Sequence, residues 1–354
     1  ATFTFSGDSD CCGFAGPVMT AISNALDRGA TVRFIGDSNV DTNALWQNKS
    51  LALEAQRGVN PLILSIDDSG AGIHHNKFGL FDYGPGNRWV VSGSANFTGG
   101  AMSLQWNTMV EIRDDALYAA YSLEADELLA GRFHDDAAKS HAHDGSAFNI
   151  PGSWGANEAY FSPSPDGMPL EDELLALIAT AQDEIIFAGN VVTRLELAMA
   201  LRDAADANPN LRITGVLPRS QTDPGQTSEA PYNFLTNTAN YAGTNYVNMV
   251  LAHEDRGDTN TVDTGGVAEL VHTKWMVIDP TGSQPVVWHG STNWTFSALV
   301  SNNTNDENVQ VIRHAGVACR FFDNFKAITA RFGSRNCVAS NQPPNIVPIP
   351  DQIA

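Results

Sequence analysis

Short apolar runs alternate with segments of helical periodicity in both halves of the chain. In the second half, strand-like runs occupy residues 158–161, 184–188 and 211–216, and apolar positions recur at helical spacing over 170–181 and 195–205. In the first half, strand-like runs occupy residues 2–5 and 31–35, with a helical segment over 16–26. This alternation predicts α/β layers in each half.

The two halves divide the chain into two lobes. We expect a first lobe over residues 1–132, a second over 155–337 and an extended, proline-rich tail over 338–354. The first half has no counterpart of residues 156–182. Its lobe is therefore expected to lack an opening strand and helix, and removal of an upstream segment is the favoured explanation.

Two segments without sustained periodicity separate the predicted elements. Residues 133–154 are rich in Asp, His, Ser, Gly and Pro and are predicted to connect the lobes. His134, His141 and His143 in this segment suggest a metal site, but a solvated linker is the favoured interpretation. Residues 217–262 are predicted to be loops that frame the functional site and influence substrate selection.

One short pattern occurs twice with identical internal spacing. Each copy reads His-x-Lys-x4-Asp and then, after the same interval, Gly-Ser-x-Asn. The first copy consists of His75, Lys77, Asp82, Gly93, Ser94 and Asn96, and the second of His272, Lys274, Asp279, Gly290, Ser291 and Asn293. A repeat that retains reactive side chains and apolar filler predicts a duplicated lobe with one shared site.

The residue types of the repeat suit a phosphodiester. Side chains two apart on a strand share a face, so His75 and Lys77 point the same way, as do His272 and Lys274. Lysine and asparagine donors can neutralise the non-bridging oxygens while one histidine attacks phosphorus and the other protonates the leaving alkoxide. We predict no metal and no cofactor for this step, because the lysines supply the positive charge.

These motifs resemble those of the phospholipase D superfamily, which is defined by two HKD motifs. The resemblance implies two similar α-β-α sandwich lobes with mixed sheets, related by a pseudo-two-fold axis with the active site between them. It also implies a phosphohistidine intermediate, with His75 as nucleophile and His272 as general acid/base, although the reverse order stays open from the sequence.

Further roles follow from the same resemblance. The run that begins at Glu307 is similar to the family's acidic segment, whose carboxylate orients a catalytic histidine. In the first half, Trp106 or Asn107 falls at this position, depending on register, and Glu111 lies nearby. The lysines and asparagines are expected to contact the phosphate, Ser94 and Ser291 to hydrogen-bond within the site, and Asp82, Asp279, Gly93 and Gly290 to support the motifs.

The amino-acid composition narrows the choice between classes of substrate. With 20 basic and 40 acidic residues, the net charge is −20, which disfavours long-range attraction to nucleic acid. We therefore favour a monomeric, secreted or periplasmic phospholipase D that meets a membrane surface only transiently. A metal-independent nuclease and a catalytically silent binding module are the alternatives.

The cysteines and the apolar runs bear on where the protein acts. None of the four cysteines has metal-ligand spacing. A Cys319–Cys337 disulfide would suit an exported protein, whereas buried free thiols would suit a reducing compartment. The apolar runs are too short for a membrane span.

Overall fold

The computed structural model describes residues 15–37, 62–67, 72–96, 101, 105–134, 136, 138–139, 145–163, 170–252, 270–301 and 304–329. The predicted tail and residues Cys11, Cys12 and Cys337 lie outside these described residues. Within them, no helix combines the length and apolarity needed to cross a bilayer.

The first half forms a parallel strand pair and an antiparallel meander. Its elements are α1 (Ala15–Asp27), β1 (Val32–Asp37), β2 (Leu62–Asp67), β3 (Ile73–His74), β4 (Phe78–Asp82), β5 (Arg88–Gly93), β6 (Met109–Arg113) and α2 (Asp115–Leu129). Strands β1 and β2 are parallel, and β4, β5 and β6 are antiparallel neighbours. Helix α2 begins after Asp114, whose carboxylate accepts a hydrogen bond from the Leu117 amide (2.7 Å).

The second half is organised around one large mixed sheet. Its strands are β7 (Ser146–Phe148), β8 (Asn157–Ser162), β9 (Glu184–Gly189), β10 (Arg212–Pro218), β11 (Asn248–Ala252), β12 (Lys274–Ile278), β13 (Val286–Gly290) and β14 (Asn305–Ile312). They lie in the order β11-β10-β9-β12-β13-β14-β8-β7, and β3 of the first half pairs in parallel with β14. Strands β9, β10 and β11 are parallel, whereas the remaining pairs are antiparallel.

Helices cover both faces of this sheet. They are α3 (Leu170–Ile178), α4 (Leu195–Ala207), α5 (Arg219–Thr222), α6 (Glu229–Thr236), α7 (Phe296–Leu299) and α8 (Ala315–Thr329). Helices α3 and α4 pack their apolar sides on one face, and α8 packs on the other. The protein thus has two mixed α/β lobes, in agreement with the expected fold class.

A shared apolar core joins the lobes. Tyr121 of α2 contacts Phe78 of β4 and Phe161 of β8 edge-on, with ring centroids 4.9 Å apart in both pairs. Trp275 of β12 belongs to the same cluster and is fully buried. Because this core draws on both halves, it fixes the relative position of their two motifs.

Two segments differ from their predicted character. The connection over 133–154 is not a solvated linker throughout, because β7 pairs with β8 and His134 is buried. Residues 217–262, predicted as loops, contain α6 and β11. A three-residue strand and an eight-residue helix are too short to give a periodic signal. The lobe boundaries and the upstream removal stay predictions.

Candidate active site

The two His-x-Lys pairs lie at the junction of the lobes. His75 and Lys77 link β3 to β4, while His272 and Lys274 lead into β12. In each pair the lysine Nζ donates to the carbonyl oxygen of its own histidine, at 2.8 Å in the first half and 2.6 Å in the second. Both lysines are buried. In these contacts, each ammonium group is held by a backbone carbonyl and not by a carboxylate.

His75 is held by a carboxylate from the opposite lobe. Its Nδ1 lies 2.8 and 2.7 Å from the two carboxylate oxygens of Glu307, which belongs to β14 and is fully buried. Ser291 donates to Glu307 Oε2 at 2.5 Å, and Asn305 Nδ2 donates to Oε1 at 3.2 Å. These contacts orient the carboxylate, so that Nδ1 of His75 carries the proton and Nε2 is left with its lone pair.

His272 is held by an amide instead. Its Nδ1 lies 2.9 Å from Asn107 Oδ1, which also accepts a hydrogen bond from Ser94 Oγ at 2.9 Å. Asn107 Nδ2 donates to the carbonyl oxygen of Ala101 (3.0 Å), so Oδ1 is the acceptor toward the histidine. The proton of neutral His272 is therefore on Nδ1, and its Nε2 lies 3.3 Å from Lys274 Nζ.

The register of the first half is thereby decided. Asn107, not Trp106, occupies the position that corresponds to Glu307. Trp106 is exposed, and only its backbone takes part, by accepting from the His272 amide at 3.0 Å. Glu111 is exposed on β6 opposite Val91 and contributes nothing to either histidine. The two histidines consequently differ in the charge of the group behind them.

The two motif glycines lie where neighbouring strands approach closely. A Cβ at Gly93 would lie 2.0 Å from the carbonyl oxygen of Thr108, and a Cβ at Gly290 would lie 2.0 Å from that of Asn308. The two positions are equivalent in the two halves. Only glycine allows the partner residues Asn107 and Glu307, which precede these carbonyls, to come this close to the motif.

Burial and like charge lower the basicity of the site. Burial, partly offset by Glu307, lowers the pKa of His75 to about 4 and that of Lys77 to about 8. Burial and the charge of Lys274 and Lys77 hold the pKa of His272 well below its usual value. Burial and Lys77 likewise lower the pKa of Lys274. The pKa of Glu307 is lowered overall, because the effects of His75, Lys77 and Ser291 outweigh the opposing effect of burial. The carboxylate therefore stays ionised. A bound anion would reverse the shifts on the basic groups.

The remaining motif residues differ in burial and in hydrogen bonding. Asp279 is buried and accepts hydrogen bonds from the amides of residues 182–184 (2.7–3.2 Å), whereas Asp82 accepts from the Gly84 amide (2.8 Å) at the surface. Asn96 and Asn293 are both half-buried next to their motif serines. Neither aspartate contacts a motif histidine or lysine in these hydrogen bonds.

Some residues of the site were not identified from the sequence. The hydroxyl groups of Thr108 and Thr273 lie 3.0 Å apart across the lobe junction. Asn308 Oδ1 accepts from the Lys77 amide at 3.1 Å. Thr108 follows Asn107, and Asn308 follows Glu307. Their equivalent positions in the two halves could have identified both residues from the sequence.

Comparison with known protein families finds a match over most of the chain. A family model described as "Cardiolipin synthase, PLD-like domain" matches residues 3–129 and 174–329. The chain belongs to this PLD-like family. Phosphatidylserine synthase from Haemophilus influenzae Rd KW20 is similar in fold, with a TM-score of 0.61 at 11% identity over 93% of this chain and 80% of that one.

Other solved structures share less with this PLD-like protein. Polyphosphate kinase from Porphyromonas gingivalis matches with a TM-score of 0.51 at 11% identity, over 87% of this chain and 43% of that one. Nuc, a phospholipase D family member from Salmonella typhimurium, is 20% identical over 49% of this chain and 93% of that one, with a TM-score of 0.36. No curated protein matches the sequence.

Proposed function

We propose that this PLD-like protein is a phosphodiesterase that releases phospholipid head groups through a phosphohistidine intermediate and transfers the phosphatidyl group to water or an alcohol. The observation that carries this proposal is the arrangement of His75 and His272 at one lobe junction. Each has a held Nδ1, and each has a buried lysine beside it.

In the first step, Nε2 of neutral His75 attacks phosphorus and forms a P–N bond. The P–O bond to the head group breaks, and the leaving alkoxide takes the proton from Nε2 of protonated His272. Lys77 and Lys274 stabilise the charge on the non-bridging oxygens. Glu307 accepts the Nδ1 proton of His75 in a hydrogen bond and stabilises the positive charge that develops on the phosphorylated ring.

In the second step, a water or alcohol gives its proton to His272 and its oxygen attacks phosphorus. The P–N bond breaks, and His75 leaves as a neutral imidazole. The products are the free head group and either phosphatidic acid or a phosphatidyl alcohol. His272 is protonated again, so that the protons balance over the cycle.

The groups behind the histidines favour this order of roles. A nucleophilic histidine becomes positively charged when it is phosphorylated, and the Glu307 carboxylate stabilises that charge. A general acid must release its proton readily, and the neutral amide of Asn107 leaves the His272 imidazolium a stronger acid than a carboxylate would. The bound phosphodiester supplies the negative charge that allows His272 to be protonated before the reaction.

Three observations favour a lipid over a nucleic acid. The matching family model is named for cardiolipin synthase, and the phosphatidylserine synthase fold extends over 93% of the chain. The excess of 40 acidic over 20 basic residues opposes attraction to a polyanion. We also propose that the protein is a monomer, since one chain carries both motifs.

The proposal is tested by a paired assay in EDTA. Head-group release from phosphatidylcholine and phosphatidylethanolamine vesicles is measured beside nicking of plasmid DNA, with ethanol added to detect phosphatidylethanol. We expect lipid turnover without nicking. Nicking alone would establish the nuclease alternative. Loss of turnover in EDTA with an unchanged circular dichroism spectrum and an unchanged Tm would contradict a metal-independent reaction.

The intermediate is tested with a variant and a matched control. His272→Asn removes the acid of the first step and the base of the second. With phosphatidyl-p-nitrophenol, whose leaving group needs no proton, it should slow mainly the second step, so that a phosphatidyl adduct on His75 accumulates and is detected by peptide mass spectrometry. His289→Gln is the control, because His289 is also buried in the second lobe but bonds only Gln310 in that core (2.8 Å). If His75→Ala and His272→Ala leave turnover unchanged, the activity does not belong to this site, and the chain is a binding module.

We further propose that the protein is exported. The disulfide that Cys319 of α8 forms supports an oxidising compartment, although its partner lies outside the described residues. Mass spectrometry of peptides from the unreduced protein should find Cys319 linked to Cys337. A fully reduced protein in its native compartment would argue against export.

A further inference from the structure

A second cluster of ionisable side chains lies directly behind the catalytic histidines. Asp67 at the end of β2, His134 after α2 and Asp306 of β14 are all buried, and one ligand atom of each lies within 4.8 Å of the others. His134 Nδ1 is 3.1 Å from Asp306 Oδ2 and 3.6 Å from Asp67 Oδ2. The cluster therefore joins the two lobes.

A buried histidine at the same point has no hydrogen-bond partner for its ring. His74 is 3% exposed, and neither of its ring nitrogens makes a hydrogen bond. Its Nδ1 lies 3.7 Å from Asp306 Oδ2, and its backbone amide donates to Asp37 Oδ2 at 2.8 Å. Leaving two buried polar atoms unsatisfied is costly, so this ring indicates a ligand at the cluster.

The charges of the cluster point to a cation. The carboxylates of Asp67, Glu124 and Asp306 are buried here, and the buried ammonium of Lys139 bonds two of them. Lys139 bonds Glu124 and the Oδ1 atom of Asp306, each at 2.7 Å. The Oδ2 atom of Asp306 faces ring nitrogens of His134 and His74, at 3.1 and 3.7 Å. A buried carboxylate oxygen beside imidazole nitrogens is a donor set that a divalent transition metal takes.

We propose that Asp67, His134 and Asp306 bind one divalent transition-metal ion of the zinc class, next to the ring of His74. Ligand bonds of about 2.0–2.2 Å in a tetrahedron require about 3.4 Å between neighbouring ligand atoms. The distances from His134 Nδ1 to Asp306 Oδ2 and Asp67 Oδ2, 3.1 and 3.6 Å, bracket that value. One imidazole and two carboxylates form a ligand set that zinc accepts.

The site would hold the catalytic pair in place. His74 pairs with Asp306 across β3 and β14, and the next residues along these strands are His75 and Glu307. An ion held by Asp306 would fix β14 at the residue next to Glu307. The inference does not rest on the proposed reaction, because it is argued from residues that the reaction does not use.

The test measures metal content and stability of the full chain rather than turnover. Wild type, His134→Gln, Asp67→Asn and the control His289→Gln are each purified without chelator and dialysed. The zinc content of each protein is then quantified by mass spectrometry. We expect one equivalent of zinc in the wild type and the control, and at least a tenfold lower occupancy in the two cluster variants. Cobalt in place of zinc should give the intense visible bands of tetrahedral coordination.

Thermal unfolding distinguishes metal binding from a misfolded variant. Added zinc should raise the Tm of metal-stripped wild type and of the control, but not that of the cluster variants. The proposal is overturned if folded wild type retains no metal and its Tm does not rise with zinc, cobalt or manganese. Equal zinc content in wild type and His134→Gln would overturn it as well. Neither result depends on whether the protein cleaves a lipid.

Discussion

Replacement of Asn107 by Asp tests the assignment of roles to the two histidines. The change keeps the size of the side chain and places a carboxylate oxygen where Oδ1 now lies, 2.9 Å from His272 Nδ1. Ser94 would donate to it, as Ser291 donates to Glu307 in the other half. The variant therefore gives both histidines the same kind of partner.

The size of the effect follows from this distance. Opposite unit charges with centres about 4 Å apart attract by about 4 kcal/mol at an effective dielectric constant of about 20. Carboxylates next to a titrating group commonly shift its proton affinity by about 10- to 1000-fold. The ammonium of Lys274 lies 3.3 Å from Nε2 of His272 and opposes protonation of the ring. We therefore expect the proton affinity of His272 to rise by an amount within that range.

The assay is the pH dependence of kcat/KM for head-group release. Burial and the nearby lysines keep the pKa of His272 low, so at alkaline pH only a small fraction of the free enzyme has it protonated. If His272 is the general acid, Asn107→Asp enlarges that fraction and raises kcat/KM on the alkaline side. Because a weaker acid transfers its proton less readily, we expect a net gain of about 3- to 10-fold.

The opposite role order gives the opposite profile. If His272 is the nucleophile, it must be neutral, and a higher proton affinity removes active enzyme on the acidic side without any alkaline gain. Loss of activity confined to the acidic side would therefore refute the assignment. Asn87→Asp, at an exposed position of the first lobe, adds the same charge far from the histidines and should leave the profile unchanged.

Three further predictions concern stability. Gly290→Ala should lower the free energy of unfolding by about 1–3 kcal/mol in urea titrations, because its Cβ would meet a backbone oxygen. Gly243→Ala is the control and should change this free energy little, because its Cβ would only make an ordinary van der Waals contact at 4.0 Å. Asp279→Ala should lower the free energy of unfolding by about 2–4 kcal/mol, because buried backbone amides lose a charged acceptor. Asp82→Ala is the control, and it should leave the Tm nearly unchanged because Asp82 lies at the surface. Burial lowers the pKa of His289 to about 4. Between pH 6.5 and 4 the imidazole is therefore protonated in the unfolded state but not in the folded state. The free energy of unfolding falls as the pH falls through this window. His289→Gln should flatten that part of the profile, and an unchanged slope would contradict the burial argument.

The sequence predicted the parts of the site that are local in the chain. His75 and Lys77 lie two residues apart, and the interval to Gly93 is one hairpin, so a single strand pair brings these groups together. Identical spacing in the second half implied a second set. The repeat could therefore be read without knowing how the lobes pack.

Contacts between the lobes could not be predicted in this way. Whether Trp106 or Asn107 stands behind His272 depends on the strand register, which is set by the hydrogen bond from the Ser94 amide to the Thr108 carbonyl (2.9 Å). That Glu307 serves the histidine of the other lobe is a consequence of the shared core. His134 was interpreted as solvated because its partners are distant in sequence and no spacing pattern connects them.

The strand alternation of β3 and β14 explains how two sites fit at one junction. Consecutive side chains of a strand point to opposite faces, so His74 and Asp306 face the buried cluster while His75 and Glu307 face the lobe junction. The acidic pair on β14 therefore supports two different histidines on two sides of the sheet. Asp306→Asn should weaken metal retention directly and turnover through the position of Glu307, whereas Glu307→Gln should reduce turnover and leave metal content unchanged. Equal loss of metal in both variants would show that the two faces are not independent.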